Sequence, residues 1–309
     1  MLPAIARLVD DVISRGEGLD ARGDPFGPPL DAATCARTLE AIRAARFDGP
    51  LIPARSPLAP PGGSDEVHVL LQRPREGNRW ALFLPPYGAY DARGQPGLYA
   101  IHSRTLSRAG FGVAAVSLPY HGRRALAGKP SGYGFVRADL GVTALALASA
   151  AAEVVALARH LREHEGAEQV AGLGISLGGA ALGLASALGA PVDAAAFLAA
   201  VDNCASFYYT GKNRAARRAT LAAAGYDQAR VAEAFQPFAP STYAAPVRGE
   251  RLVFAIPPED RVVPAEAQER WRDAWHGHGV RLRGHGHATA IASPFVAARL
   301  ARELAARLA

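Results

Sequence analysis

Short apolar runs alternate with longer helical stretches from about residue 66 to the end of the chain. Most runs carry apolar residues at both odd and even positions, as strands do when helices cover both faces of a sheet. This alternation predicts an α/β fold with a mainly parallel sheet between helices on both faces. The predicted strands are 66–72, 79–84, 112–118, 169–175, 194–200, 251–256 and 280–283. The predicted helices are about 97–109, 143–165, 177–189, 264–276 and 294–308.

Two segments depart from this alternation. Residues 1–62 hold helical patterns at about 3–15 and 31–46, joined by links rich in proline and glycine. They are predicted to form an N-terminal helical extension to a main domain at 63–309. Residues 203–245 hold helical patterns and no strand, so they predict a helical insertion. An insertion of this size is either a lid over a site or a set of connecting helices.

Composition and charge exclude several classes of protein. The two cysteines, Cys35 and Cys204, are too few for a disulfide framework or a cysteine-based zinc module. The net charge is +6, but the basic residues form no stripe with interleaved aromatics. We therefore expect no nucleic-acid partner. The N-terminus lacks a basic segment followed by a long apolar core, so we expect no signal peptide and a cytoplasmic location.

Residues 170–192 carry no charge and are long enough to cross a membrane. They also hold six glycines and a proline, which is unusual for a spanning helix. A buried strand that runs into a buried helix explains the pattern better. We therefore predict no membrane span here.

The chain also has alternating histidine pairs, His276 with His278 and His285 with His287. No carboxylate with ligand spacing accompanies either pair, so no metal site is predicted. The glycine-rich, lysine-containing loop that binds nucleotide phosphates is absent from the sequence. We expect no cofactor.

Residues 174–178 read G-I-S-L-G at the junction of a predicted strand and a predicted helix. The G-x-S-x-G pattern in this context is typical of a sharp turn that exposes the serine hydroxyl at the carboxyl end of a sheet. The flanking Gly174 and Gly178 leave room for the strand and the helix to approach each other. Ser176 is therefore the predicted nucleophile.

A serine hydroxyl needs a base, and the base needs an acid to orient it. Asp260 follows the predicted strand 251–256, with Glu259 as the neighbouring alternative. His285 and His287 both follow the last predicted strand. Functional groups gather at the carboxyl ends of strands in open α/β sheets, so these residues are expected to lie near the serine.

Four marks together resemble the α/β-hydrolase family of serine hydrolases, over about residues 66–308. They are the G-I-S-L-G turn, the E-D-R-V-V-P stretch at 259–264, the G-H at 286–287, and S-L-P-Y-H-G-R-R from Ser117. The last mark departs from the family's pattern, since Ser117 stands where aspartate is usual. The resemblance implies Ser176 as nucleophile, Asp260 as acid and His287 as base, and it favours these over Glu259 and His285.

The resemblance also implies an oxyanion hole with the N–H of Leu177 as one donor. Most family members have His-Gly in the loop after the second predicted strand, whereas this chain has Tyr87-Gly88. Tyr-Gly resembles the prolyl-oligopeptidase and cocaine-esterase branches, in which a tyrosine hydroxyl donates to the oxyanion. The second donor is then either the Tyr87 hydroxyl or the N–H of Ala89.

Four further residues are candidates for substrate binding. They are Tyr90, His121, Phe207 and Tyr208. His121 follows a predicted strand, where the alternative is a purely structural loop. Phe207 and Tyr208 begin the insertion, where packing in the core is the alternative.

The resemblance implies hydrolysis of a small-molecule carboxylic ester through an acyl-enzyme. Two alternatives stay open: a peptidase or amidase of the same fold, and a non-catalytic binding protein on a hydrolase scaffold. The N-terminal helices could pack on the main domain, form part of a lid or mediate a homodimer. Fold analogy alone does not identify the substrate.

Overall fold

The computed structural model describes residues 3–16, 25–48, 51, 54–89, 96–209 and 215–309. Their strands are β1 (Ala54–Arg55), β2 (Glu66–Val67), β3 (Val69–Gln72), β4 (Arg79–Leu84), β5 (Gly112–Val116), β6 (Gln169–Ile175), β7 (Ala194–Leu198), β8 (Leu252–Ile256) and β9 (His278–Arg281). Their α-helices are α1 (Pro3–Gly16), α2 (Ala32–Ala44), α3 (Pro96–Arg108), α4 (Leu140–Glu163), α5 (Leu177–Ala187), α6 (Ser206–Tyr209), α7 (Ala215–Ala223), α8 (Gln228–Ala234), α9 (Ala265–Ala274), α10 (His287–Ile291) and α11 (Pro294–Arg307).

Seven strands form the main sheet in the order β3-β5-β4-β6-β7-β8-β9. All neighbouring strands run parallel except the β3–β5 pair at one edge. The strand with the candidate nucleophile at its end, β6, lies in the middle of the sheet. The prediction of a mainly parallel sheet with a helical insertion before the acid-bearing strand is confirmed.

Successive residues of each central strand enter different cores. In β4, Trp80 and Leu82 pack in one core and Ala81 and Phe83 in the other. Helices α4, α5 and α9 cover the first face, and α3 and α11 cover the second. This two-sided burial explains why the strands carry apolar residues without alternation.

The predicted strand 66–72 forms two short strands in different sheets. Its first part, β2, pairs antiparallel with β1 in a small two-stranded sheet. Its second part, β3, is the antiparallel edge of the main sheet. The last strand, β9, lies two residues earlier than predicted. Elements at the edges have fewer buried positions, so their apolar pattern is weaker.

The uncharged stretch 170–192 contains β6 and α5, as predicted. The one described helix that is long and apolar enough to cross a membrane is a different one, α4. Its most apolar window is 89% buried within the protein. Helix α4 packs between α2, α5 and the sheet, which accounts for its alanine-rich sequence.

The first 62 residues contact the rest of the chain at several places. Helix α2 packs on α4, and α1 packs on α10. Gly27 forms a parallel bridge with Asp139, and its carbonyl accepts the N–H of Leu140 at 3.0 Å. The described parts of this segment therefore pack on α4 and reach the short helix that begins at His287.

The insertion between β7 and β8 contains α6, α7 and α8, followed by 3₁₀ turns at Gln236–Phe238 and Pro240–Thr242. Large apolar side chains anchor it to the core. They are Phe207, Tyr208, Leu221, Val231, Phe235 and Phe238. Burial of these side chains is the main source of stability for such short helices.

A buried ion pair ties the segment after β5 to α4. Arg124 donates from both terminal nitrogens to the Glu153 carboxylate, each at 2.7 Å, and both side chains are at most 1% exposed. Arg124 also donates to the carbonyls of Ser117 and Ser64. Removing one partner of a buried pair leaves the other charge without compensation.

We therefore expect Glu153→Leu to lower the free energy of unfolding by about 3–5 kcal/mol, measured by urea denaturation. Arg73→Gln is the control, because it breaks an ion pair in which Arg73 is largely exposed. The control should change stability little. Equal stability of Glu153→Leu and the wild type would contradict this account.

Candidate active site

Ser176 lies in the one-residue turn between β6 and α5, with φ 52° and ψ −115°. A positive φ is strained for a residue with a Cβ, and such strain persists only where the surroundings hold it. Here the N–H of Ser176 donates to the carbonyl of Leu198 at 2.9 Å, and the N–H of Val201 donates to the carbonyl of Ser176 at 3.2 Å. The end of β7 and the residues just after it thus hold the turn.

Glycines allow this turn to pack closely. A Cβ added at Gly174 would lie 2.7 Å from the Cα of Gly179, and one at Gly178 would overlap the carbonyl oxygens of Leu84 and Pro85. The expectation that both glycines provide clearance is confirmed. The second contact also shows that the loop after β4 lies directly against the first turn of α5.

The structure brings Ser176, His287 and Asp260 together at the carboxyl end of the sheet. His287 Nε2 lies 3.0 Å from Ser176 Oγ, and His287 Nδ1 lies 2.8 Å from Asp260 Oδ2. The side chain of Asp260 is fully buried, and that of His287 is 9% exposed. A carboxylate only accepts, so Nδ1 carries the imidazole proton and Nε2 accepts from the serine hydroxyl.

The Asp260 carboxylate is fixed by other donors as well. Its Oδ1 accepts the N–H groups of Val262 at 2.8 Å and Val263 at 2.7 Å. Gln268 on α9 donates to Oδ2 at 3.2 Å and to the Val263 carbonyl at 2.9 Å. Sequence reasoning missed Gln268, since one glutamine on an amphipathic helix gives no signal of this contact.

The alternative acid and base have other partners. Glu259 forms an ion pair with Arg7 of α1. His285 Nδ1 lies 3.2 Å from the carbonyl of Arg283. Asp260 and His287 are instead the residues that connect to Ser176, and they are the pair that the resemblance favoured.

Asp10 of α1 is a further buried acid at this site, and sequence reasoning missed it. Its carboxylate accepts the N–H groups of Arg261 at 3.2 Å, His287 at 2.7 Å and Ala288 at 2.9 Å. The side chain is fully buried. Its partners are main-chain groups 251 to 278 positions away, which carry no side-chain pattern that a sequence could reveal.

His121 supports the loop that carries Tyr87. The N–H of Gly88 donates to His121 Nε2 at 3.0 Å, so Nδ1 carries the proton and donates to the Pro119 carbonyl at 2.8 Å. The imidazole is 1% exposed and packs edge-on against the Tyr87 ring. The prediction that His121 binds substrate is not supported, because both ring nitrogens are occupied within the protein.

Ser131 fixes the next residue of the same loop. Its hydroxyl donates to the Ala89 carbonyl at 2.6 Å and accepts the N–H of Gly122 at 2.9 Å. The N–H of Ala89 itself donates to the Pro86 carbonyl at 3.3 Å. The loop is therefore a closed turn whose N–H groups at 88 and 89 already have acceptors.

The remaining predicted substrate residues differ in their placement. Phe207 lies beside the Tyr87 ring, with centroids 6.3 Å apart, so it stays a candidate. Tyr208 is fully buried, and its hydroxyl donates to the Arg137 carbonyl and contacts Thr143 Oγ1. Tyr208 therefore packs in the core, which was the alternative. Tyr90 lies outside the described residues.

The described part of the chain shows no group of three or more His, Cys, Asp or Glu side chains arranged to hold a metal ion. Cys35 and Cys204 are both buried and free. Burial raises the pKa of the Cys204 thiol to about 12, so it is uncharged at neutral pH.

This chain is similar to known proteins in its fold. No family model matches the sequence, and no curated protein matches it significantly. The structure is similar to an acetyl xylan esterase from Paenibacillus sp. R4, with TM-score 0.61 and 13% identity over 91% of this chain and 97% of that one.

Two other solved structures are also similar. A monoacylglycerol lipase from Paleococcus ferrophilus has TM-score 0.52 and 14% identity, over 78% of this chain and 99% of that one. A puromycin-hydrolyzing peptidase from Mycobacterium tuberculosis has TM-score 0.54 and 16% identity, over 84% of this chain and 38% of that one. At such identities the likeness concerns the fold.

Burial lowers the pKa of His121 to about 4, against an ordinary 6.5. The unfolded chain therefore binds this proton at a higher pH than the folded chain does. As pH falls from about 6.5 towards 4, this histidine favours the unfolded state and the free energy of unfolding declines.

We expect His121→Asn to lose less stability than the wild type between pH 7 and pH 5, measured by urea denaturation. Asparagine can still accept the Gly88 N–H, but it does not titrate. The exposed His278, changed to Asn, is the control and should follow the wild type. The same pH dependence in His121→Asn and the wild type would contradict the assignment.

The seven-stranded sheet, the strand–turn–helix at Ser176 and the structural likenesses together show that this chain has the α/β-hydrolase fold.

Proposed function

We propose that the chain is a serine hydrolase that cleaves carboxylic esters through an acyl-enzyme on Ser176. The observation that carries this proposal is the unbroken hydrogen-bonded series from Asp260 through His287 to Ser176, at the strained turn that ends β6. A nucleophile, a base and an orienting acid in this geometry have the roles of a catalytic triad.

In the proposed reaction, Ser176 Oγ attacks the ester carbonyl while His287 Nε2 takes its proton. Asp260 keeps Nδ1 protonated and stabilises the imidazolium that forms. His287 then protonates the departing alcohol, and the acyl group stays on Ser176. Water, deprotonated by the same imidazole, attacks the acyl-enzyme and releases the acid.

The tetrahedral intermediate needs donors for its oxyanion. Leu177 opens α5 beside the serine, and N–H groups at a helix start point outward towards negative charge. In the facing loop, Pro85 and Pro86 have no N–H. The N–H groups of Gly88 and Ala89 already donate within the protein. The family resemblance implies the Tyr87 hydroxyl as the second donor, and the Tyr87 ring lies in this loop between His121 and Phe207.

The structural likenesses support an ester as substrate. Two of the three similar structures are named for action on esters, an acetyl xylan esterase and a monoacylglycerol lipase. The third is a peptidase, and the Tyr-Gly loop resembles the prolyl-oligopeptidase branch as well as the cocaine-esterase branch, so an amide is the second candidate. The complete Ser–His–Asp series argues against a binding protein that has lost its chemistry.

The nucleophile is tested by Ser176→Ala on p-nitrophenyl esters from acetate to long chains. We expect at least a 10³-fold loss of kcat and no labelling by a fluorophosphonate probe. Ser186→Ala is the matched control, because Ser186 is a buried serine on α5, the helix that follows Ser176, and its Oγ has no hydrogen-bond partner. Hydrolysis that survives in Ser176→Ala would refute the assignment, and wild-type turnover of anilides with none of esters would favour the amide.

The oxyanion donor is tested by Tyr87→Phe. Loss of a hydroxyl that donates to the oxyanion should lower kcat by about 10²–10³-fold, with little change in KM, because the contact forms only in the transition state. Steady-state kinetics on the best ester measures both constants. Phe207→Leu, which changes the ring beside Tyr87, is the control for altered packing. An unchanged kcat in Tyr87→Phe would refute the hydroxyl as the donor and leave the N–H of Ala89, the alternative from the sequence.

A further inference from the structure

Asp10 bridges two segments that meet at the candidate active site, where the N–H of Glu259 also donates directly to the carbonyl of His285 at 3.2 Å. One loop follows β8 and carries Asp260, and the N–H of Arg261 in it donates to Asp10. The other segment is the start of α10, where the N–H groups of His287 and Ala288 donate to the same carboxylate. One buried side chain from α1 thus holds the backbone of the acid-bearing and base-bearing loops together.

We propose that Asp10 is a positioning residue for the proposed triad. Through Asp10, helix α1 contributes to the alignment of the active site. The proposal rests on the proposed function, because it assigns Asp10 to the alignment of His287 against Asp260 and Ser176. Asp10 contacts neither the serine nor the histidine ring. It acts through the main chain of the two loops.

The backbone N–H groups of three successive residues are divided between the two acids. Arg261 donates to Asp10, and Val262 and Val263 donate to Asp260. A movement of this loop therefore changes the surroundings of both carboxylates at once. The arrangement couples the position of α1 to that of the proposed catalytic acid.

Gly286 provides independent support. Its φ of −98° is accessible to any residue, so the backbone does not require glycine here. The limited space around residue 286 does require glycine. An added Cβ would lie 2.5 Å from Asp10 Oδ2 and 3.0 Å from the carbonyl oxygen of Ala6. The glycine before His287 thus makes room for α1 and its carboxylate.

The energetics suggest that Asp10 does more than stabilise the fold. Burial raises the pKa of the Asp10 carboxyl, with a smaller contribution from the charge of Asp260, while the three N–H donors work in the opposite direction. A carboxyl with a raised pKa is held in its charged form at a cost to folding. Two ion pairs also link α1 to the loop after β8: Arg7 pairs with Glu259, and Asp11 lies 3.8 Å from Arg261.

Asp10→Asn tests the role with little change in shape. Its amide oxygen can still accept, but its NH₂ group faces N–H donors and cannot. We expect kcat on the best ester to fall about 10- to 100-fold with KM within about twofold, because misalignment affects the chemical step more than substrate binding. Asp11→Asn is the matched control, since it removes the same charge one residue along, and it should keep kcat within about twofold.

A double-mutant cycle tests whether Gly286 acts through Asp10. Gly286→Ala alone should lower kcat, because the new methyl group displaces the carboxylate. In the Asp10→Ala background, Gly286→Ala should lower kcat by a factor at least severalfold smaller than it does in the wild type. The Ala6 carbonyl is then the remaining close contact of the new methyl group. Independent, multiplicative effects of the two changes would count against the proposal.

Amide hydrogen exchange measures the protection that these hydrogen bonds give, and it does not depend on catalytic activity. We expect faster amide exchange at 261 and at 287–288 in Asp10→Asn than in Asp11→Asn, with the melting temperature close to wild type. Wild-type kcat in Asp10→Asn would overturn the proposal, and so would a loss of kcat matched by a loss of folded, probe-reactive protein. A wild type that hydrolyses no ester and takes no fluorophosphonate would instead refute the proposed function, and exchange would still test the contact.

Discussion

The strained turn at Ser176 constrains how the neighbouring strands and helix pack around it. A residue with a side chain takes a positive φ here, which costs about 1–3 kcal/mol and needs support from its neighbours. Main-chain hydrogen bonds to Leu198 and Val201 hold the turn, and a Cβ at Gly179 would clash with Ala200. The central position of β6, the full burial of α5 and the small residues after β7 all fit this one backbone conformation.

Main-chain N–H groups solvate the buried carboxylates at this site. Asp260 and Asp10 lie close together without water-exposed side chains, and each carboxylate receives N–H groups from the loop after β8. Buried charges are tolerated when hydrogen bonds replace the lost water. His121 serves the facing loop in a similar way, as a neutral acceptor for Gly88. The site is thus shaped by groups that never contact a substrate.

The sequence predicted the central sheet well, because strands buried on both faces leave long apolar runs. It predicted less well where burial is partial, as in the division of 66–72 into β2 and β3. It also placed His121 and Tyr208 among the substrate residues, since a position after a strand or within an insertion does not reveal which way a side chain points. Both side chains have their polar atoms engaged inside the protein.

The family resemblance favoured Asp260 and His287 among the polar residues that follow the last two predicted strands. The sequence by itself determined the order of the elements, the turn at Ser176 and those candidate positions. These follow from local rules: apolar periodicity, glycine around a tight turn, and polar residues after strands. Only the tertiary structure decided that α1 lies over the two loops and that Asp10 receives the N–H groups of Arg261, His287 and Ala288. The physical reason is that every residue except proline carries the same main-chain N–H, so contacts to it leave no trace in residue type.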